Sequence, residues 1–125
     1  MRAPASFLPL VLALLGWNGA AGAHTPSARE CREAGEFIKN AALGRDNGLS
    51  RRAYMEQLLS DLELIRAVPV EMRWFVQDDE DAVLLVSAAQ AVFDEPRSPA
   101  EHQGAFLNQC RARGRQNPQT EGTSP

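Results

Sequence analysis

The chain has 125 residues, a net charge of −3 at pH 7 and two cysteines. This length predicts a single domain. Because acids outnumber bases, the composition gives no electrostatic reason to bind nucleic acid, whose phosphates select basic faces, or an anionic membrane surface.

The first 23 residues have the layout of a secretory signal peptide. Arg2 gives a basic start, an apolar run occupies residues 7–15, and small residues lead up to Ala23. A membrane-spanning helix needs about 20 apolar residues, so this run is too short for a stable anchor. We predict cleavage after Ala23 and a periplasmic or secreted protein. Loss of Arg2 reduces the 13 basic residues to 12 against 16 acidic ones, so the mature net charge is −4.

Two amphipathic helices are predicted in the first half of the exported part. Ser27 begins a Ser-x-x-Glu capping box, and the apolar spacing after it predicts a helix to about residue 43, with Gly44 just past its end. Ser50 is placed to cap a second helix, and Pro69 marks where that helix has ended, at about residue 67.

Two more helices are predicted in the second half. The acidic run 78–81 precedes an apolar segment over 82–93, where acids favour the positive end of a helix dipole. Ser98 begins another capping box, followed by Pro99 at the first helical position, and this helix is expected to reach Cys110 or a little beyond. Residues 113–125 are polar throughout, so we expect a disordered tail.

The segment 70–77 between these pairs fits two patterns. Alternating apolar residues suggest a strand, and a helical face fits equally well. A short helix with Pro69 at its first position is preferred, because no other segment offers a partner strand. The fold predicted for residues 24–112 is therefore an all-α bundle of four to five helices.

Cys31 and Cys110 are predicted to form an intramolecular disulfide, because an even number of cysteines in an exported chain is typical of disulfide bonding. The bond would join the first helix to the last one. A reactive or metal-binding thiol pair and a disulfide-linked dimer are the alternatives, although the two cysteines are far apart in sequence.

No catalytic residue, metal site or cofactor is assigned from the sequence. Three of the five serines in the helical region are explained as caps, and the acidic run lacks the ligand spacing of a calcium loop. His24 would be the mature amino terminus, in what reads as a flexible start, and His102 is expected to be an exposed helical residue. An aminoterminal histidine can chelate copper, but the sequence does not favour such a site over a flexible start.

The pair Trp74 and Phe75, with Arg73 beside it, is the predicted partner-binding surface. Large aromatic residues anchor protein interfaces when they are exposed. The alternative is that both rings fill the core, which is the commoner role in a small domain, while Arg73 pairs with the acidic run or stacks on a ring.

The arrangement resembles a class of small exported helical proteins of Gram-negative bacteria, with a signal peptide and one cysteine near each end of the domain. The likeness is carried by Cys31, the turn at 45–48, Phe93 followed by Pro96, and Cys110. The resemblance implies a periplasmic location and no particular activity. In size and layout the chain is also similar to acid-activated periplasmic chaperones.

The leading hypothesis is a non-enzymatic periplasmic or secreted protein that binds an unknown protein partner. An acid-stress chaperone is the first alternative, because 16 acids would lose stabilising charge on protonation. A small enzyme or a metal-binding protein is the second.

Overall fold

The computed structural model describes residues 24–116, with side chains described as far as Gly114. Within this range there are four helices and no strand, which confirms the predicted all-α fold. We label them α1 (Ala28–Asp46), α2 (Arg51–Arg66), α3 (Asp79–Asp94) and α4 (Pro99–Gln116). The predicted signal peptide, residues 1–23, lies outside the described residues, as do residues 117–125 of the predicted tail.

Each helix begins where the sequence provides a capping residue. The capping box of α1 is complete, with the Ser27 hydroxyl accepting from the Glu30 N–H at 3.0 Å and the Glu30 carboxylate accepting from the Ser27 N–H at 2.9 Å. The same exchange between Ser98 and Glu101 starts α4. Ser50 caps α2 through the Ala53 N–H. These side chains satisfy N–H groups that have no partner within the helix.

The C-terminal ends of two helices differ from the prediction. Helix α1 passes through Gly44 and ends at Asp46, because the residue with a left-handed backbone is Gly48, at φ +98°. Helix α4 continues past residue 112 to Gln116, so the predicted tail begins too early. The polar composition after residue 112 did not reveal that Arg113 has partners on α3.

The bundle is closed by a disulfide between Cys31 at the start of α1 and Cys110 in α4, as predicted. Helix α1 lies antiparallel to α4, since Cys31 is bonded to Cys110 and Glu36 further along α1 is hydrogen-bonded to Gln103 nearer the start of α4. Helix α3 packs on both α1 and α2. The core between them combines Ile38 and several alanines of α1 with side chains from the other elements. Its largest fully buried apolar side chains are Phe75, Phe106, Ile38, Leu85 and Val92.

The segment between α2 and α3 contains only a single 3-10 turn, Val70–Met72, and Pro69 precedes that turn as its cap. The predicted short helix is therefore limited to three residues. Arg73 explains why the rest need not be helical, because its guanidinium donates to the carbonyls of Val68, Gln77 and Arg66 at 2.8, 3.0 and 3.1 Å. The backbone carbonyls at the end of α2 and in the following loop thus accept hydrogen bonds from Arg73 and do not need the regular backbone hydrogen bonds of a helix.

No helix within residues 24–116 is both long enough and apolar enough to cross a bilayer.

Candidate functional site

The residues predicted to bind a partner are largely engaged inside the protein. Phe75 is 0% exposed and packs edge-on against the ring of Phe106, with 5.8 Å between centroids. It therefore cannot form part of an exposed surface, and this part of the prediction is wrong. The alternating apolar residues before it do not share this burial, since Val70 and Met72 are 49% and 72% exposed, whereas the consecutive residues Phe75 and Val76 are both buried.

Trp74 and Arg73 are both partly buried. The indole of Trp74 packs against Phe37 of α1 at 5.6 Å and against Phe75 at 5.9 Å. The guanidinium of Arg73 is hydrogen-bonded to three backbone carbonyls, rather than to the acidic run or to a ring as the sequence suggested. Both residues are thereby tied to the core and to the loop that they stabilise.

An apolar groove lies instead between α2 and α3, with a volume of about 450 Å³. We use the name apolar groove for the surface lined by Leu59, Leu62, Glu63, Arg66, Ala82, Val83, Val86 and Ser87. Two of its apolar side chains are substantially exposed, Leu59 at 51% and Val83 at 64%. The volume falls within the range of pockets that bind small molecules or single side chains of a partner.

Charged groups stand among the lining residues of the apolar groove. Glu63 and Arg66 come from α2, both exposed, and Arg66 lies 3.8 Å from the carboxylate of Asp79 at the start of α3. An exposed pair at this distance contributes little to stability. These side chains remain able to rearrange around a bound partner.

A second feature is an ionic cluster around the residue predicted to be the mature amino terminus. The amino-terminal cluster consists of His24, Glu30, Asp78, Glu80, Asp81 and Arg113. The Asp81 carboxylate is 0% exposed and is paired with the guanidinium of Arg113 and with Nδ1 of His24, the latter at 2.6 Å. Buried charges require such partners, because an unpaired one costs several kcal/mol.

Asp78 joins the same cluster from the N-terminus of α3. Its carboxylate accepts from the backbone N–H of Asp81 at 2.9 Å and from the backbone N–H of His24 at 2.9 Å. Burial by itself would raise the pKa of Asp78, but these two hydrogen bonds and the nearby charges of Arg113 and His24 outweigh it and lower the pKa. The carboxylate is consequently ionised at neutral pH.

The geometry of His24 indicates a structural role. Its Nδ1 faces Asp81, and its Nε2 lies 3.3 Å from the Glu30 carboxylate, so both ring nitrogens have acidic neighbours. A general base needs a free nitrogen directed at a substrate or a nucleophile. The expectation of a flexible start is wrong at this residue, because contacts 54 to 89 positions away in sequence hold it.

The remaining candidate groups are also accounted for. His102, expected to be exposed, is 4% exposed, with Nε2 3.1 Å from the carbonyl of Glu95. His102 lies one turn before Phe106 and two turns before Cys110 on the buried face of α4, so the helical spacing carried a signal of its burial that the sequence analysis missed. Both cysteines are in the disulfide. Among residues 24–116, no three His, Cys, Asp or Glu side chains are placed to hold a metal ion.

Sequence reasoning missed both the apolar groove and the amino-terminal cluster. In α2, apolar residues recur at helical spacing at Met55, Leu58, Leu59, Leu62 and Ile65. An apolar stripe wider than one packing face is the signal that could have located the groove. For the cluster the acidic run at 78–81 was visible, but its pairing with Arg113 and His24 depends on tertiary contacts.

No protein-family model, curated protein or solved structure matches this chain at a significant level.

Proposed function

We propose that this chain is a non-enzymatic protein of the periplasm or the extracellular space, and that it binds an apolar helical segment of a protein partner in the apolar groove between α2 and α3. The observation that carries this proposal is the exposure of Leu59 and Val83 on the two walls of one concave surface.

The compartment is supported by two independent features of the chain. The disulfide between Cys31 and Cys110 is typical of proteins that fold in an oxidising compartment. The first 23 residues have the charged start, short apolar run and small-residue end of a cleavable leader. A binding partner is accordingly sought among proteins of the same compartment.

The kind of occupant follows from the shape and chemistry of the apolar groove. It runs between two helices and is lined mainly by aliphatic side chains. An amphipathic helix that places apolar residues one turn apart can fill such a surface, which is a recurring mode of peptide recognition. Contiguous apolar surface on a small monomer is a common mark of an interaction site.

The charges beside the groove supply a basis for orientation. Glu63 and Arg66 stand one turn apart on α2 and carry opposite charges. A partner helix with complementary charges on its flanks would be favoured in one direction, because complementary charges at an interface set orientation more than affinity.

Site-specific photo-crosslinking tests the proposal in the native compartment. A photoreactive residue placed at Val83 should give a crosslinked product of discrete mass. The same residue at Asn108, which is exposed on α4 outside the groove, should not give it. The crosslinked protein is identified by mass spectrometry, and the crosslinked peptide should contain an apolar helical segment.

A matched pair of substitutions separates binding from general surface effects. Leu59 lines the groove, whereas Leu64 lies on the same helix, is 68% exposed and does not line the groove. Leu59→Asp should abolish the Val83 crosslink, and Leu64→Asp should leave it intact. Equal crosslinking from Val83 and Asn108, or equal effects of the two substitutions, would contradict the proposal.

A second candidate function is protection of other proteins in acid. The amino-terminal cluster ties the chain start, α1, α3 and α4 together through carboxylates, so their protonation weakens these ties. In this case the mature protein should suppress aggregation of a denaturing client enzyme at about pH 3 while exposing apolar surface itself. Absence of protection at that pH would eliminate this candidate.

A further inference from the structure

We propose that cleavage after Ala23 creates a structural ion pair, in which the new α-ammonium of His24 binds the carboxylate of Asp78. Leader removal would then complete the fold of the domain. The inference rests on cleavage at this peptide bond and is independent of what the apolar groove binds.

The position of residue 24 is already fixed by contacts on several sides. Its backbone nitrogen lies 2.9 Å from Oδ2 of Asp78, and its carbonyl accepts from the Arg113 guanidinium at 2.8 Å. Its ring lies between Asp81 and Glu30, at 2.6 and 3.3 Å. The nitrogen that becomes the free amine therefore needs no rearrangement to reach a carboxylate.

The charges of the amino-terminal cluster favour an added cation at this point. The cluster contains four carboxylates, those of Glu30, Asp78, Glu80 and Asp81, and the guanidinium of Arg113 pairs with two of them, Glu80 and Asp81. In the uncleaved chain the nitrogen of His24 is an uncharged amide. After cleavage it carries a full positive charge, and a charge-assisted hydrogen bond is stronger than a neutral one.

The predicted cleavage site, after Ala23, is the one that this ion pair requires. Small residues at positions 21 and 23 are typical of a leader cleavage site, and His24 is the next residue. A cut one residue earlier would leave the ammonium one residue beyond the carboxylate, with only an amide N–H facing Asp78. Only a mature chain that starts at His24 can therefore form this ion pair.

The experiment combines two changes, each made in the complete chain with its own leader and purified from the periplasm of a Gram-negative host. One change inserts a glycine between Ala23 and His24, so that the cleaved protein begins one residue before His24. The other is Asp78→Asn, which removes the charge and keeps an oxygen that can cap α3. Intact mass identifies the start of each product, and urea unfolding gives its unfolding equilibrium constant.

The expected result is a coupling between the two changes. Asp78→Asn should raise the unfolding equilibrium constant about fivefold more in the protein that begins at His24 than in the glycine-extended one. Equal effects in the two proteins would overturn the inference, and so would a wild-type product that begins at another residue.

A pH series gives a second test that does not depend on the extended protein. An amine paired with a carboxylate keeps its proton above its ordinary pKa of about 8. Its contribution is complete below that pH and is lost as the pH rises through the pKa of the paired amine. The destabilisation caused by Asp78→Asn in the protein that begins at His24 should therefore shrink between about pH 7 and pH 10.5, and a constant difference would overturn the inference.

Discussion

Removal of the disulfide is the perturbation whose effect on stability can be worked out most directly. The bond joins Cys31 to Cys110, 79 positions apart, so it closes a loop that spans nearly the whole bundle. The chain-entropy relation for a loop of this length gives about 4.5 kcal/mol of stabilisation. Both side chains are buried, so replacing them with alanine adds a cost for lost packing.

Such a loss is large for a domain of this size, since small domains are stable by only about 5–15 kcal/mol. The double variant Cys31→Ala Cys110→Ala should unfold at a urea concentration about 1.5–4.5 M lower than the wild type, with circular dichroism as the probe. A reducing agent should shift the wild type by a similar amount. It should have no effect on the variant, which serves as the control.

The reasoning would be refuted if reduction left the midpoint of the wild type unchanged. That outcome would mean that the helices enclose their apolar side chains without the covalent link. Two free thiols in the folded native protein would have the same meaning.

Three further predictions concern the core, the buried charge and the response to acid. Phe75→Ala should lower the free energy of unfolding by about 3–5 kcal/mol, because the ring is fully buried, and thermal unfolding measures the loss. Arg113→Met should cost about 3 kcal/mol, because it leaves the buried Asp81 without its guanidinium; an unaltered melting temperature would show that this pair is dispensable. The lowered pKa of Asp78 means that its carboxylate stabilises the fold above its unfolded-state pKa, and that this stabilisation is lost as the pH falls through its folded-state pKa. Asp78→Asn should therefore lose less stability than the wild type between about pH 5 and pH 2, and parallel acid-unfolding profiles would contradict the assignment.

Features of the fold that depend on near neighbours in sequence were predictable. The capping boxes at Ser27 and Ser98 mark the starts of α1 and α4 correctly, because they act over three residues. The disulfide was predictable for a different reason, since an exported chain with two cysteines has a single intramolecular pairing. The capping residues therefore predicted the helix starts, and the number of cysteines predicted the disulfide that closes the bundle.

Features that depend on distant contacts were not predictable from the pattern. Arg113 occurs in a polar stretch that resembles a flexible tail, and its pairing with Asp81 of α3 holds the part of α4 beyond residue 112 against the bundle. Phe75 occurs in a segment without clear periodicity, and its burial depends on Phe106, 31 positions later. His24 gave no sign of being held, because its partners lie on α1, α3 and α4.

The candidate site also depends on contacts between residues that are distant in sequence. Aromatic residues suggested a binding surface around Trp74, but a small domain uses such rings to fill its core, and here they pack on Phe37 and Phe106. The exposed apolar surface is aliphatic and lies where α2 meets α3. Its location depends on how far apart those two helices pack, and that distance cannot be obtained from either helix alone.

The most direct test of the proposed function is the dissociation constant of the crosslinked partner, measured by calorimetry with the wild type and two variants. Leu59→Asp should weaken binding at least tenfold, because it places a charge on the apolar wall against which the partner packs. Leu64→Asp, the same change on the same helix outside the groove, should bind as the wild type does. Equal dissociation constants for all three proteins, with their folds intact, would show that the apolar groove is not the binding surface.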